Sequence, residues 1–222
     1  MKPQGIIFDL DGTLIDNNAY HIEAWKVFYA KMRLEFSIDE YKNKINGRIS
    51  KAIFPYVLNK ELSDDEINLY DDEKESLYRQ LYAPHIKPVA GLINFLEQLH
   101  KEDYPMAVAT SGLPPNIDFM FENIDIKKYF QAIINASTIT TGKPHPEIFL
   151  KAAEALHVNP KKCIAFEDSV AGIRSAKAAG MKVVALTTTH TAEDVQEADL
   201  IINDYTEITP EQLVQLIQKE RM

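Results

Sequence analysis

Two aspartates one residue apart follow an apolar stretch near the start of the chain. The stretch Gly5-Ile6-Ile7-Phe8 has the character of a buried strand, and it runs directly into Asp9-Leu10-Asp11-Gly12-Thr13. Two carboxylates at the end of a buried strand are costly unless positive charge lies near them. Open α/β folds bind ligands at the carboxyl edge of a parallel sheet, and the ligand there is often a metal ion or a phosphate. The pattern therefore predicts a functional site, although Asp-Gly alone would be typical of a turn.

Three further polar segments lie downstream, of which two follow apolar runs and one precedes a proline. Thr110-Ser111 follow Met106-Ala107-Val108-Ala109, Lys143 lies in Gly142-Lys143-Pro144-His145-Pro146-Glu147, and Glu167-Asp168 follow Cys163-Ile164-Ala165-Phe166. Because the carboxyl ends of parallel strands meet at one edge, we expect these residues to gather beside the first aspartates. Each has an ordinary alternative when taken alone: a strand-end hydroxyl for Thr110, a surface lysine for Lys143 and a helix cap for Glu167-Asp168.

The chain divides into a helical part and a part in which helices and strands alternate. Residues 16–84 show helical patterns without a convincing strand, whereas the sequence after Pro88 alternates between the two, as in a parallel sheet with crossover helices. We therefore predict an α/β fold with a core of residues 1–15 and 85–222 and a helical cap of residues 16–84. In the helical part we predict helices around 21–29, with Asn17 and Asn18 as caps, and at 38–45, 50–59 and 64–82. The acidic residues of 64–75 are interpreted as a solvated helix face.

Composition excludes several classes of partner. The chain has 222 residues, a formal net charge of −9 and a single cysteine, Cys163. The negative charge argues against nucleic acid or an anionic membrane as the main partner. One cysteine permits no internal disulfide and fits a reducing compartment, so we expect a cytoplasmic protein. We expect no signal peptide and no membrane span, and a monomer or weak homodimer.

The four polar segments, taken together and in this order, closely resemble the four motifs of the haloacid dehalogenase (HAD) superfamily. The resemblance covers nearly the whole chain. It implies a HAD-like Rossmannoid three-layer core with a parallel sheet, and an inserted α-helical cap directly after the first strand. It also implies a Mg²⁺-dependent enzyme that transfers the phosphoryl group of a small phosphorylated metabolite through an aspartyl phosphate.

Roles for individual residues follow from the same resemblance. It implies that Asp9 is the nucleophile and that Asp11 is the general acid and base, with a pKa raised by burial and neighbouring anions. The Mg²⁺ ligands would be Asp9, the main-chain carbonyl of Asp11 and Asp168, with Glu167 acting through water or from the second layer of contacts. Thr110, Lys143 and main-chain N–H groups near Ser111 would bind the phosphoryl group.

The helical part resembles the cap of β-phosphoglucomutase and its sugar-phosphate phosphatase relatives. The matching segments are Tyr20-His21 with Ala24-Trp25, Asn46-Gly47-Arg48 and Glu73-Lys74-Glu75-Ser76-Leu77-Tyr78. The resemblance nominates His21, Arg48 and Lys74 as residues that face the substrate.

One departure bears on the reaction. The mutase carries a serine-lysine-asparagine run that holds a second phosphate, but the corresponding segment here, Gly112-Leu113-Pro114-Pro115-Asn116, has no lysine. We therefore favour a phosphatase over a mutase, with Arg48 as the residue that could replace the missing cation. A non-catalytic phosphate-binding module is disfavoured because Asp9 and Asp11 are both present. A dinucleotide-binding enzyme is disfavoured because no Gly-x-Gly-x-x-Gly turn follows the first strand.

Overall fold

A six-stranded parallel sheet forms the centre of the computed structural model, which describes residues 2–218. The strands are β1 (Gly5–Phe8), β2 (Met106–Ala109), β3 (Ala132–Ile134), β4 (Cys163–Glu167), β5 (Lys182–Leu186) and β6 (Leu200–Ile202). Their order is β3-β2-β1-β4-β5-β6, so the first strand lies in the middle, paired with β2 on one side and β4 on the other. Because every neighbouring pair is parallel, the carboxyl ends of β1, β2 and β4 meet at one edge.

Helices cover both faces of the sheet and complete a three-layer α/β/α core. They are α5 (Leu92–Lys101), α6 (Pro114–Asn123), α7 (Glu147–Ala155), α8 (Val170–Ala178) and α9 (Pro210–Gln218). On one face Phe8 and Phe166 stack against each other and pack with Phe95 of α5. On the other face Ile7 packs with Ile148 of α7 and the remainder of a second cluster. The strands are apolar on both faces because both are covered, which explains their continuous hydrophobic runs.

The segment between β1 and α5 is helical, as its sequence predicts. Its helices are α1 (Asn18–Lys31), α2 (Ile38–Glu40), a π-helical turn (Tyr41–Ile45), α3 (Ser50–Leu58) and α4 (Asp64–Tyr82). They share a hydrophobic cluster of their own that includes Trp25, Phe28 and Phe54. α4 begins at a capping box, in which Ser63 Oγ accepts from Glu66 N–H and the Glu66 carboxylate accepts from Ser63 N–H.

The predicted fold class is confirmed, with small corrections to individual elements. The helix predicted at 38–45 is divided into the short α2 and the π-helical turn. Asn17 does precede α1, but its side chain makes no cap hydrogen bond. Within residues 2–218, no helix combines the length and apolar character needed to span a membrane.

Candidate active site

The two aspartates after β1 lie at the carboxyl edge of the sheet, where the neighbouring strands bring further charged groups. Asp9 is buried, and Lys143 Nζ lies 2.5 Å from its Oδ1 and 2.6 Å from Glu167 Oε1. The same ammonium donates to the carbonyl oxygen of Ala109, at 3.2 Å. Lys143 therefore joins the ends of β1, β2 and β4 through one cation. This contradicts the alternative of a surface lysine, because the side chain is almost fully buried.

Glu167 is held by hydrogen bonds on both of its carboxylate oxygens. Its Oε1 accepts from Lys143, while its Oε2 accepts from the N–H groups of Asp168 and Ser169 at 2.9 and 2.8 Å. Gly172 of α8 packs directly against it, since a Cβ at that position would lie 1.7 Å from Glu167 Oε1. Because both oxygens are engaged, Glu167 is better placed to orient its neighbours than to bind a ligand directly.

Three buried carboxylates face a single lysine in this cluster. Oxygen atoms of Asp9, Glu167 and Asp168 lie within 4.8 Å of one another. Burial raises the pKa of Asp9 well above its ordinary value; Lys143 opposes the rise, and the charges of Glu167 and Asp168 add to it. Burial and the charge of Glu167 likewise raise the pKa of Asp168. This buried, oxygen-rich cluster with excess negative charge fits a hard divalent cation.

Asp11 differs from this cluster, because its immediate partners are hydrogen-bond donors. Asn17 Nδ2 donates to Asp11 Oδ1 at 2.5 Å, and Asn17 Oδ1 accepts from Gly12 N–H at 3.0 Å. His21 Nε2 lies 3.6 Å from Asp11 Oδ1. Gly12 has a φ of +74°, and a Cβ there would lie 2.1 Å from Asp168 Oδ2, so this turn requires glycine.

The expectation of a raised pKa for Asp11 is wrong. Burial raises the pKa, but the hydrogen bonds from His21 and Asn17 and the charge of Lys74 together lower it below its ordinary value. The sequence reasoning counted the neighbouring anions and missed the donors. In this structure Asp11 is therefore held as a carboxylate.

The residues after β2 reach the same cavity. Thr110 is buried, and its Oγ1 accepts from Gly112 N–H at 3.0 Å. Ser111 Oγ donates to the carbonyl oxygen of Gly47, at 2.8 Å. Both residues line the cavity beside Asp9. The structure thus places Thr110 and Ser111 where the sequence predicts them, and Ser111 links the sheet edge to the loop before α3.

The helical segment covers the other side of the cavity. All three residues nominated there line it: His21 from α1, Arg48 from the loop before α3, and Lys74 from α4. Lys74 Nζ is buried and lies 2.8 Å from His21 Nδ1 and 2.7 Å from Glu75 Oε1. Because an ammonium only donates, His21 Nδ1 is the acceptor, and the ring proton is assigned to Nε2, which faces Asp11.

Several polar residues of the site were missed or misinterpreted from sequence. Asn17 was interpreted as a helix cap, but its side chain bonds Asp11, Gly12 N–H and the hydroxyl of Tyr78. Asn116, in the first turn of α6 and at the end of the segment that lacks the mutase lysine, donates to Glu75 Oε2 at 2.8 Å and accepts from Arg79 at 2.6 Å. The contacts of these asparagines with the cap helix α4 carry no sequence signal, because Tyr78, Glu75 and Arg79 lie at least 37 residues away in the chain.

The acidic face of α4 is only partly solvated. Asp64, Asp65, Asp72 and Glu73 are exposed, but Asp71 is 5% exposed and Glu75 is partly buried, and both line the cavity. The Asp71 carboxylate accepts from the hydroxyl of Ser50. The interpretation of the whole run as a solvated face is therefore wrong at Asp71 and Glu75. Their spacing of four residues places both on the inner face of the helix.

Comparison with known proteins identifies the family of this chain. The family model described as haloacid dehalogenase-like hydrolase matches residues 6–186. A validoxylamine A 7'-phosphate phosphatase of Streptomyces hygroscopicus subsp. limoneus is 32% identical over 91% of this chain and 94% of its own length. A β-phosphoglucomutase of Bacillus subtilis is 30% identical over 95% of this chain and 93% of its own length.

A solved structure resembles the chain over its full length. The crystal structure of a HAD hydrolase, family IA, variant 3, from Entamoeba histolytica superposes with a TM-score of 0.86 at 35% identity. The superposition covers 99% of this chain and 100% of the Entamoeba histolytica chain. The matched family model spans β1 to β5 and contains all four polar segments of the sheet edge. The chain belongs to the haloacid dehalogenase-like hydrolase family.

Proposed function

We propose that this protein is a phosphatase that hydrolyses the monoester of a small phosphorylated metabolite, such as a sugar phosphate, through an aspartyl phosphate on Asp9. The observation that carries the proposal is the arrangement of two carboxylates in one cavity. Asp9 lies beside Lys143 and Asp168, and Asp11, two residues later, lies beside donors that keep it ionised. A nucleophile and a separate proton-transfer group are the two elements that covalent phosphoryl transfer requires.

Mg²⁺ is the cofactor that the buried acidic cluster fits. Asp9, Asp168 and the main-chain carbonyl of Asp11 would hold it, with Glu167 orienting the neighbouring groups. When bound, the ion supplies the positive charge that lets carboxylates approach a phosphate dianion. The fit follows from three carboxylates with oxygen atoms close together, of which only Asp9 and Glu167 pair with Lys143.

The chain's own residues supply the remaining functions. The Asp9 carboxylate forms the bond to phosphorus as the bond to the leaving oxygen breaks. Lys143, Thr110 and the N–H group of Ser111 bind the oxygens of the transferred group. Asp11 donates a proton to the leaving oxygen and later accepts one from the attacking water. A bound phosphate dianion raises the pKa of Asp11, which makes the first of these steps accessible.

The helical segment of residues 16–84 serves as the cap in this proposal, and residues 1–15 and 85–222 form the core. His21 and Lys74 hold Asp11 from the cap side, and Arg48 contacts the substrate. We further infer a cytoplasmic enzyme that is a monomer or weak homodimer and acts without nucleic acid or membrane. The net charge of −9 disfavours binding to nucleic acid or to an anionic membrane.

A β-phosphoglucomutase is the second candidate, and two observations bear on it. The contact from Lys74 through His21 to Asp11 favours it, in line with the mutase-like sequence of the cap. The loop after β2 disfavours it. Asn116, in the first turn of α6, faces the cap, but its amide is already bonded to Glu75 and Arg79. A mutase must hold a bisphosphate by its distal phosphate while it turns over, and this loop offers no cation for that purpose.

The test supplies β-glucose 1-phosphate with a trace of the 1,6-bisphosphate and Mg²⁺, and follows two products. A phosphatase releases inorganic phosphate without forming glucose 6-phosphate. Glucose 6-phosphate formed in large excess over phosphate would establish the mutase instead. A screen of phosphate release from sugar phosphates, nucleotides and pyrophosphate then identifies the substrate class.

A further inference from the structure

The cap side of the cavity contains a buried carboxylate that neither the nucleophile nor the acid–base group uses. Asp71 of α4 lines the cavity together with Ser50, Asn46, Arg48 and Trp25. The Ser50 hydroxyl donates to Asp71 Oδ1. Within the part of the chain that the structure describes, no group donates a hydrogen bond to Asp71 Oδ2. One oxygen of a carboxylate that is 5% exposed is therefore open to the cavity.

A second acceptor and a donor in the same region also lack partners. Asn46 Oδ1 and Arg48 Nε are buried, and neither finds a hydrogen-bond partner among the described residues. Buried polar atoms are rarely left unpaired, and here they lie in two residues that line the cavity. The open acceptor, Asp71 Oδ2, requires a hydrogen-bond donor, which a hydroxyl supplies and a phosphate dianion does not.

The raised pKa of Asp71 also supports a role in ligand binding. Burial raises the pKa of Asp71 to about 6; the charge of Glu75 adds to the rise, while the hydrogen bond of Ser50 and the charge of Lys74 oppose it. The carboxylate therefore predominates at neutral pH at a cost to stability. An asparagine would accept the same bond from Ser50 without that cost. A buried carboxylate kept in a cavity under these conditions is a candidate for ligand recognition.

We propose that Asp71, positioned by Ser50, accepts a hydrogen bond from a hydroxyl of the substrate's leaving group and makes the enzyme specific for the monophosphate of a neutral, polyhydroxylated molecule. This inference rests on the proposed phosphatase function and extends it to the leaving group. Asp71 repels a second phosphate, so a bisphosphate is a poor substrate.

The test compares substrates with and without hydroxyl groups on the leaving group. The proteins are the wild type, Asp71→Asn, Ser50→Ala and the matched control Asp72→Asn, which makes the same change at the exposed neighbour on α4. The substrates are β-glucose 1-phosphate, glucose 6-phosphate, fructose 1-phosphate, fructose 1,6-bisphosphate and p-nitrophenyl phosphate, with Mg²⁺ present throughout. The readout is kcat/KM for each pair of protein and substrate.

We expect Asp71→Asn to lower kcat/KM about 10- to 100-fold for the best hexose monophosphate, the usual effect of losing a hydrogen bond to a charged group. Its kcat/KM for p-nitrophenyl phosphate stays within about twofold of the wild type, because that leaving group has no hydroxyl. Ser50→Ala shows a smaller loss of the same kind, and Asp72→Asn shows none. An equal effect of Asp71→Asn on both substrates, no effect on either, or a wild type that prefers the bisphosphate would overturn the inference.

A binding measurement separates this inference from the proposed function. If the wild type cleaves none of the substrates, the phosphatase proposal fails, and binding then tests Asp71 alone. Trp25 is the single tryptophan and lines the cavity, so its fluorescence reports occupancy. In an Asp9→Asn background, Asp71→Asn should weaken binding of glucose 6-phosphate about tenfold or more and leave binding of inorganic phosphate unchanged. Unchanged binding of both would overturn the role of Asp71.

Discussion

Two groups of buried charges face each other across the cavity, and both contain more carboxylates than lysines. At the sheet edge, three carboxylates have oxygen atoms within 4.8 Å of one another, and Lys143 pairs with two of them, Asp9 and Glu167. On the cap side, Asp71 and Glu75 lie one helical turn apart on α4, with Lys74 beside them. The carboxylates at the sheet edge converge on one point, whereas those of the cap are separately hydrogen-bonded to Ser50 and Asn116.

The difference between the two groups indicates two kinds of ligand. Converging carboxylate oxygens with excess negative charge fit a hard cation. A separate carboxylate with one open oxygen fits a hydroxyl donor. Excess buried charge therefore points to a ligand in both places, and the geometry of the oxygens distinguishes which ligand. The following predictions test this distinction, in order of decreasing effect.

Removal of the cation from the sheet edge should abolish phosphatase activity. We expect EDTA to stop phosphate release and Mg²⁺ to restore it in the wild type. Asp168→Ala should bind Mg²⁺ too weakly to detect by calorimetry, because one of the converging oxygens is lost. Asp72→Asn serves as the control and should bind Mg²⁺ normally. Full activity in the presence of EDTA would show that the cluster does not serve a metal.

Removal of each lysine should affect stability unequally. Lys143→Met leaves Asp9 and Glu167 without their shared partner, and breaking a buried ion pair in this way costs about 3–5 kcal/mol. Lys74→Met should cost less, because it removes the ion pair of one carboxylate, Glu75, instead of two, and Glu75 keeps its hydrogen bond from Asn116. Urea unfolding in EDTA at neutral pH measures both variants. Equal losses would mean that the two groups do not differ as described.

Removal of the cap carboxylate should increase stability, and the gain should depend on pH. The pKa of Asp71 is raised to about 6 in the folded state, so the folded protein holds a proton that the unfolded chain has released between about pH 4 and pH 6. The contribution of Asp71 to wild-type stability therefore falls as pH rises through this range. Asp71→Asn should be more stable by about 1–3 kcal/mol above pH 7 and nearly equal to the wild type at pH 4. A variant that is less stable at neutral pH would contradict the raised pKa.

Changes on the exposed face of α4 should have the smallest effect. Glu73 pairs with Lys31 of α1, and both side chains are about half exposed. Such pairs contribute at most about 1 kcal/mol because water screens them. Glu73→Gln should therefore leave phosphate release unchanged and alter unfolding by less than that amount. An effect as large as that of Asp71→Asn would show that burial does not separate the two faces.

The sheet edge could be predicted from sequence because its residues directly follow strands. In a parallel sheet the ends of β1, β2 and β4 must meet, so Asp9, Thr110 and Glu167 are brought together by the topology alone. The helix predicted at 64–82 was also found with these bounds, as α4. In these regions, local pattern and tertiary structure agree.

The cap side was harder to predict because its contacts depend on how helices pack. The acidic composition of α4 indicated solvent exposure, and only the packing of α4 against α1 and α3 decides that Asp71 faces inward. Asn17 satisfies the rule for a helix cap, but contacts with Asp11 and with Tyr78, which is 61 residues away, take its side chain instead. The lowered pKa of Asp11 depends on His21 and Lys74 in the same way.

The most direct test of the account is to trap the phosphorylated enzyme. The protein is mixed with a hexose monophosphate that it cleaves and Mg²⁺, quenched in acid, reduced with borohydride and mapped by peptide mass spectrometry. The account predicts that Asp9 is converted to homoserine, which marks an acyl phosphate at that carboxyl group, and that Asp9→Asn gives neither the product nor phosphate release. Modification at another residue, or an Asp9→Asn variant that releases phosphate at the wild-type rate, would contradict it.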